Sequence, residues 1–111
     1  MNPSSDTIYK GKVVLLINRV VYSAANSFTN SLSLLPRVTL IGDTTGGGGS
    51  LPLEYELSNG WILRYASSME YRPSDSLIID KGIPPDYYVE MIANSNKDNV
   101  LDFALEYLKN N

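Results

Sequence analysis

Five consecutive aliphatic residues, Val13-Val14-Leu15-Leu16-Ile17, constrain this chain most, because a strand with one wet face alternates and this run does not. It predicts a strand covered on both faces, as in a parallel sheet. Arg37-Val38-Thr39-Leu40-Ile41-Gly42 predicts a second one. Between them Ala24, Phe28, Leu32 and Leu35 recur at helical spacing, Ser23 suits the N-cap and Pro36 ends the run, which predicts a helix of about 12 residues. One face of that helix reads apolar; the other carries Asn26, Thr29, Asn30 and Ser33. Strand, helix and strand in this order make a βαβ crossover, right-handed by the general rule, so the fold class is α/β.

Length and composition remove whole classes of function. A chain of 111 residues fits one domain, and 43% hydrophobic with 19% charged residues excludes disorder over most of it. A net charge of −3 offers no basic patch, so nucleic acid and anionic membranes are not expected partners. No apolar run is long enough to span a bilayer, so direct membrane insertion is not expected either. Cysteine and histidine are both absent, which leaves no thiolate nucleophile and no internal imidazole base. No metal or organic cofactor is suggested.

Downstream, Leu53, Tyr55 and Leu57 alternate with Glu54 and Glu56, and Asn59-Gly60 suits a type I′ turn leading into Trp61-Ile62-Leu63-Arg64-Tyr65-Ala66. This predicts a β-hairpin. Ser67 to Ser76 reads as a polar loop, Leu77-Ile78-Ile79 as a short strand, Gly82-Ile83-Pro84-Pro85-Asp86 as an extended turn, and Tyr87-Tyr88-Val89 as a last short strand. Leu101, Ala104, Leu105 and Leu108 mark an end helix capped near Asp98. Residues 1 to 9 read as a linker or boundary segment.

The chemistry converges on Ser23. A strand that delivers a serine to the first turn of a helix sets its hydroxyl beside unpaired N–H groups, where negative charge is stabilised. The plainer reading is an N-cap worth about 1 kcal/mol, and the G-x-S-x-G pattern of a hydrolase elbow is missing. Gly46 to Gly49 lack the Lys-Ser or Lys-Thr and the following helix of a phosphate loop, so Thr45, Gly46, Gly47 and Gly48 read as a loop beside a binding cleft. Asp80 and Asp86 suit solvated turn carboxylates, or the orienting of a base.

In their order and spacing, Leu16-Ile17-Asn18, Tyr22-Ser23-Ala24-Ala25-Asn26, Ile41-Gly42-Asp43-Thr44-Thr45-Gly46-Gly47, Leu57-Ser58-Asn59-Gly60-Trp61 and Gly82-Ile83-Pro84-Pro85-Asp86 resemble the C-terminal half of the catalytic domain of the tail-specific, or C-terminal processing, serine peptidases. The resemblance spans residues 10 to 111 and implies a ClpP/crotonase-like fold of stacked β-β-α units. It implies Ser23 as nucleophile and the Ala24 N–H as half of the oxyanion hole, the other half being an upstream glycine. In the serine-lysine branch the base is a lysine, whose place here is taken by Gly48. The tricorn-like branch instead uses an upstream histidine and an acid just before the Gly-Ile-Pro-Pro-Asp stretch; that place is held by Ile79, with Asp80 next to it.

The resemblance thus implies a polypeptide substrate, a missing N-terminal part supplying histidine and a PDZ-like or other docking domain, and inactivity of this stretch alone. It also implies a periplasmic, cell-envelope or extracellular location. Two rivals stand beside this reading. One is a non-catalytic ligand- or peptide-binding module, since interphotoreceptor retinoid-binding modules resemble the same family. The other is an assembly domain that forms a homodimer through an exposed sheet edge.

Overall fold

The computed structural model describes residues 9–72 and 74–110. The linker expected over residues 1 to 9 therefore lies outside the described residues, apart from Tyr9. Strand β1 (Val13–Ile17) and strand β2 (Val38–Gly42) pair in parallel, Val13 opposite Val38 through Ile17 opposite Gly42, with helix α1 (Ala24–Ser33) between them in sequence. The expected βαβ unit is present. Antiparallel strands β3 (Pro52–Glu56) and β4 (Ile62–Ala66) form the hairpin. Short strands β5 (Tyr71–Arg72) and β6 (Leu77–Ile78) pair with each other, a 3-10 turn covers Ile79–Lys81, and β7 (Tyr87–Tyr88) adds to β2 in parallel. Helix α2 (Asn99–Asn110) closes the described chain.

Alternation along β1 and β2 sends side chains to two cores. On one face Ile17 and Leu40 bury with Ile79 and Ile83 of the segment after β6. On the other, Ile41 buries with Val100 and Ala104 of α2, flanked by Val14, Val89 and Tyr107. The Asp98 carboxylate caps α2 by accepting from the Val100 and Leu101 N–H groups (3.1 and 3.0 Å). Asp86 sets the register of β7: its carboxylate accepts the Leu40 N–H (2.7 Å) and its own N–H donates to the Leu40 carbonyl (2.9 Å).

Several local expectations are corrected. Helix α1 has 10 residues, and it is Asn26 and Thr29 that bury, while Phe28 and Leu35 lie 57% and 47% exposed. Its polar side faces the body, where Asn26 bonds to Ile79 O and the Thr45 hydroxyl and Ser33 meets Arg72, while Asn30 Oδ1 is buried with no partner among the described residues. Of the apolar stripe, Leu32 is half-buried and the rest is exposed. In α2 the buried line is Val100 and Ala104 with Tyr107 half-buried, so Leu101, Leu105 and Leu108 face outward. Tyr87 packs its ring on Phe103 and Tyr107, which fixes this choice of face. The loop expected over Ser67 to Ser76 contains β5, and the strand expected over Leu77 to Ile79 stops at Ile78, where the chain turns. The hairpin turn is the three-residue form: Gly60 donates to Leu57 O (2.8 Å), Leu57 to Trp61 O (2.7 Å), and Gly60 alone takes positive φ (83°).

The hairpin stands away from this body. All ten residues of β3 and β4 are exposed. The radius of gyration is 17.7 Å, against about 13 Å for a compact chain of this length. Among the described residues no helix is long and apolar enough to cross a membrane.

Candidate active site

Ser23 lies where the chain leaving β1 turns into α1, at φ 56° and ψ −126°. A non-glycine residue held there costs on the order of 1–3 kcal/mol, so neighbouring contacts must fix it. They do. The Ser23 N–H donates to Gly47 O (3.0 Å), Gly46 N–H donates to Val21 O (2.8 Å), and Tyr22 bridges Gly47 in parallel. The Ser23 carbonyl accepts from Asn26 and Ser27 (2.8 and 3.1 Å), starting the helix. The hydroxyl makes no capping bond, which corrects the N-cap reading: at this φ and ψ the residue lacks the extended conformation from which a cap side chain reaches the N2 and N3 N–H groups. Ser23 is exposed, and the Ala24 N–H at the first helical position has no acceptor among the described residues.

One helical turn on, Asn26 anchors the arrangement from inside. It is fully buried, donates to Ile79 O (2.9 Å) and accepts the Thr45 hydroxyl (2.5 Å). That hydroxyl in turn accepts the Ile83 N–H (2.7 Å), while Thr45 N–H donates to Ile83 O (3.1 Å). Helix α1, the glycine loop and the segment 79–83 thus share one buried polar relay. Each group in it is costly to strand, so the relay sets their relative positions.

The glycine loop is shaped by close approach. Gly47 has φ 86°, and a Cβ there would fall 2.0 Å from Asp80 O. Gly48 has φ 74°, and a Cβ there would fall 2.3 Å from the Tyr22 ring. The ring therefore covers the place where a longer side chain at position 48 would begin. Asp80 holds this loop to its surroundings: its carbonyl accepts Gly48 N–H (3.3 Å), and its carboxylate accepts Ser50 N–H (2.7 Å), Ser50 hydroxyl (2.8 Å) and Glu70 N–H (3.0 Å). The Glu70 N–H and the Ser50 hydroxyl keep this carboxyl below its ordinary pKa near 3.8.

Ser23, Tyr22 and Gly48 line a cleft of about 300 Å³ whose other wall is Ser50 and the hairpin residues Pro52, Arg64, Tyr65 and Ala66. Of the expected loop residues, Gly48 opens on this cleft, Gly47 supports the Ser23 backbone, and Thr45 points inward to Asn26. Sequence reading missed Asn26 and the hairpin wall. Asn26 sits on the polar side of a helix, and Arg64 and Tyr65 lie far along the chain from Ser23, so only folding brings them in. Among the described residues no cluster of three or more His, Cys, Asp or Glu side chains is placed to hold a metal ion.

A model of peptidase family S41 matches residues 2–89. The chain belongs to peptidase family S41. Among solved structures it resembles a candidate peptidase from Parabacteroides merdae at 36% identity and TM-score 0.85, over 97% of this chain and 35% of that one. It also resembles the tricorn protease (25% identity, TM-score 0.76, 89% of this chain and 10% of that one) and the photosystem II D1 C-terminal processing protease (26%, 0.57, 71% and 20%). The chain therefore spans about a third or less of these relatives. No curated protein matches it. The mixed α/β arrangement, with its hairpin and C-terminal helix, is that of S41 structures.

Proposed function

We propose that this chain is the nucleophile-bearing part of a serine endopeptidase of the C-terminal processing type. The observation that carries the reading is the Ser23 turn: an exposed hydroxyl on a strained residue at a helix start, in a cleft, beside the unpaired Ala24 N–H. Ser23 Oγ attacks the carbonyl carbon of a peptide bond as a histidine from elsewhere in the full-length protein takes its proton. The oxyanion receives the Ala24 N–H and a second donor from the same missing part. Collapse expels the amine with the proton returned by histidine, and water then hydrolyses the acyl-enzyme. Asp80 is the acid this reading assigns to orient that histidine, and its carboxylate also accepts the Ser50 and Glu70 N–H groups.

The absence of lysine at position 48 and the Tyr22 ring against Gly48 favour this histidine route over a serine-lysine dyad. This stretch alone is then inactive, and the reading carries with it a periplasmic, cell-envelope or extracellular location for the full-length protein. Among the described residues β1 pairs on one edge only, so a homodimer through its free edge is the self-association this sheet would support. The test is fluorophosphonate labelling of the full-length protein, read by peptide mass spectrometry, with Ser23→Ala as control. Label on Ser23 supports the peptidase; a folded, unlabelled protein favours the non-catalytic binding module.

A further inference from the structure

The hairpin has two unlike faces, and the one toward Ser23 carries charge. Leu53, Tyr55, Leu57, Trp61, Leu63 and Tyr65 share one face by alternation and register, while Pro52, Glu54, Arg64 and Ala66 share the other. Pro52, Arg64 and Ala66 of this face line the Ser23 cleft together with Tyr65 of the other, and Arg64 is its one charged lining residue among the described residues. Glu54, directly opposite in register, receives both Nε (2.9 Å) and Nη2 of Arg64 on a single oxygen, Oε1. Nη1 has no acceptor among the described residues. The pair is open to water, with side chains 70% and 49% exposed, so it is weak and exchangeable. A guanidinium held this way offers a free edge to a second carboxylate, which it binds better than a point charge does.

We propose that Arg64 is a specificity-determining residue that binds a carboxylate of the peptide substrate, which competes with Glu54, the internal carboxylate that occupies the guanidinium in the free protein. A cleft of this volume is about 8 Å across, which an extended peptide covers in about two to three residues. The carboxylate therefore lies within about three residues of the scissile bond. It belongs to an acidic side chain or to the chain terminus, and both present the same two oxygens. This proposal rests on the peptidase reading above.

The experiment uses the full-length protein and peptides that carry Glu, Gln or Lys at each position near one cleavable bond, each with a free or amidated C-terminus. Fluorophosphonate labelling of Ser23 runs alongside. The expected result is a kcat/KM ratio, Glu over Gln, of about tenfold at one position, or free over amidated terminus by the same factor. Which ratio responds identifies the source. Arg64→Gln brings the ratio to about one, Arg64→Glu inverts it in favour of Lys, and Glu54→Gln raises it, because the guanidinium loses its internal partner. A structural role for the pair would lower all peptides together and give Glu54→Gln no such gain. Labelled Ser23 with equal rates for Glu and Gln and for both termini overturns the carboxylate site and leaves the peptidase standing. An unlabelled protein that cleaves no peptide overturns both.

Discussion

The Ser23 turn and the hairpin are parts of one cleft built by opposite means. Around Ser23 the strained turn and the buried polar groups beside it are tied to distant partners: Asn26 to Ile79, Thr45 to Ile83, the Ser23 N–H to Gly47. In the hairpin the ten strand residues are exposed, and an isolated two-stranded sheet is marginal in water. A nucleophile needs its neighbours fixed to fractions of an ångström, whereas a surface that reads a substrate needs reach. The difference teaches that the chemistry is held by the body and the recognition by an arm rooted in it.

The largest effect that breaks this division is loss of the nucleophile. Ser23→Ala should lower peptidase activity of the full-length protein by at least about 10³-fold. Urea unfolding should be about unchanged, since alanine is no worse than serine at this φ and the hydroxyl makes no capping bond. A mutant that retains activity assigns catalysis elsewhere. Next comes Gly47→Ala, whose Cβ would collide with Asp80 O at positive φ. It should cost about 3 kcal/mol in urea unfolding and, because Gly47 O holds the Ser23 N–H, also reduce labelling of Ser23.

The comparison is sharpened by a matched pair. Asn26→Ala strands the Thr45 hydroxyl proton in a buried site and leaves Ile79 O with the Gly82 N–H alone, so it should cost about 2 kcal/mol. Tyr55→Ser, at a residue 62% exposed on the arm, should change stability of this stretch by less than about 0.5 kcal/mol. Equal losses in urea titrations would mean that the arm is part of the core.

The same contrast explains what the sequence made legible. Strands β1 and β2, the hairpin and the Asp98 cap rest on local patterns, and all are present. The buried side of α1 was not legible, because an apolar stripe at Phe28 and Leu35 marks a surface to be covered without saying by what. Asn26 buried only because Ile79 and Thr45, distant in sequence, meet it with matching donors and acceptors. The offset in α2 arose likewise, from Tyr87 packing its ring at a tilt against Phe103 and Tyr107. Ser23 was readable as a helix start, yet its positive φ comes from Gly46 and Gly47, which approach from the next loop.

The smallest effect lies at the root of the arm, where Asp80 of the body holds Ser50 just before β3. Its folded pKa lies below the ordinary 3.8, chiefly through the Glu70 N–H and the Ser50 hydroxyl, so ionisation favours the folded state. The stabilisation is complete above the unfolded value and is lost as pH falls through the folded one. Asp75 behaves alike: hydrogen bonding to Arg72 lowers it to about 2, and its contribution fades over more acid pH. Asp80→Asn should therefore be less stable than wild type at neutral pH, and the two unfolding curves should converge as pH drops below about 3.8. Asp75 leaves a shared residual slope in both proteins. Curves that run parallel from neutral to acid pH would show that the Asp80 charge does not hold the arm, and would leave the Thr45 and Asn26 relay as the tie between cleft and body.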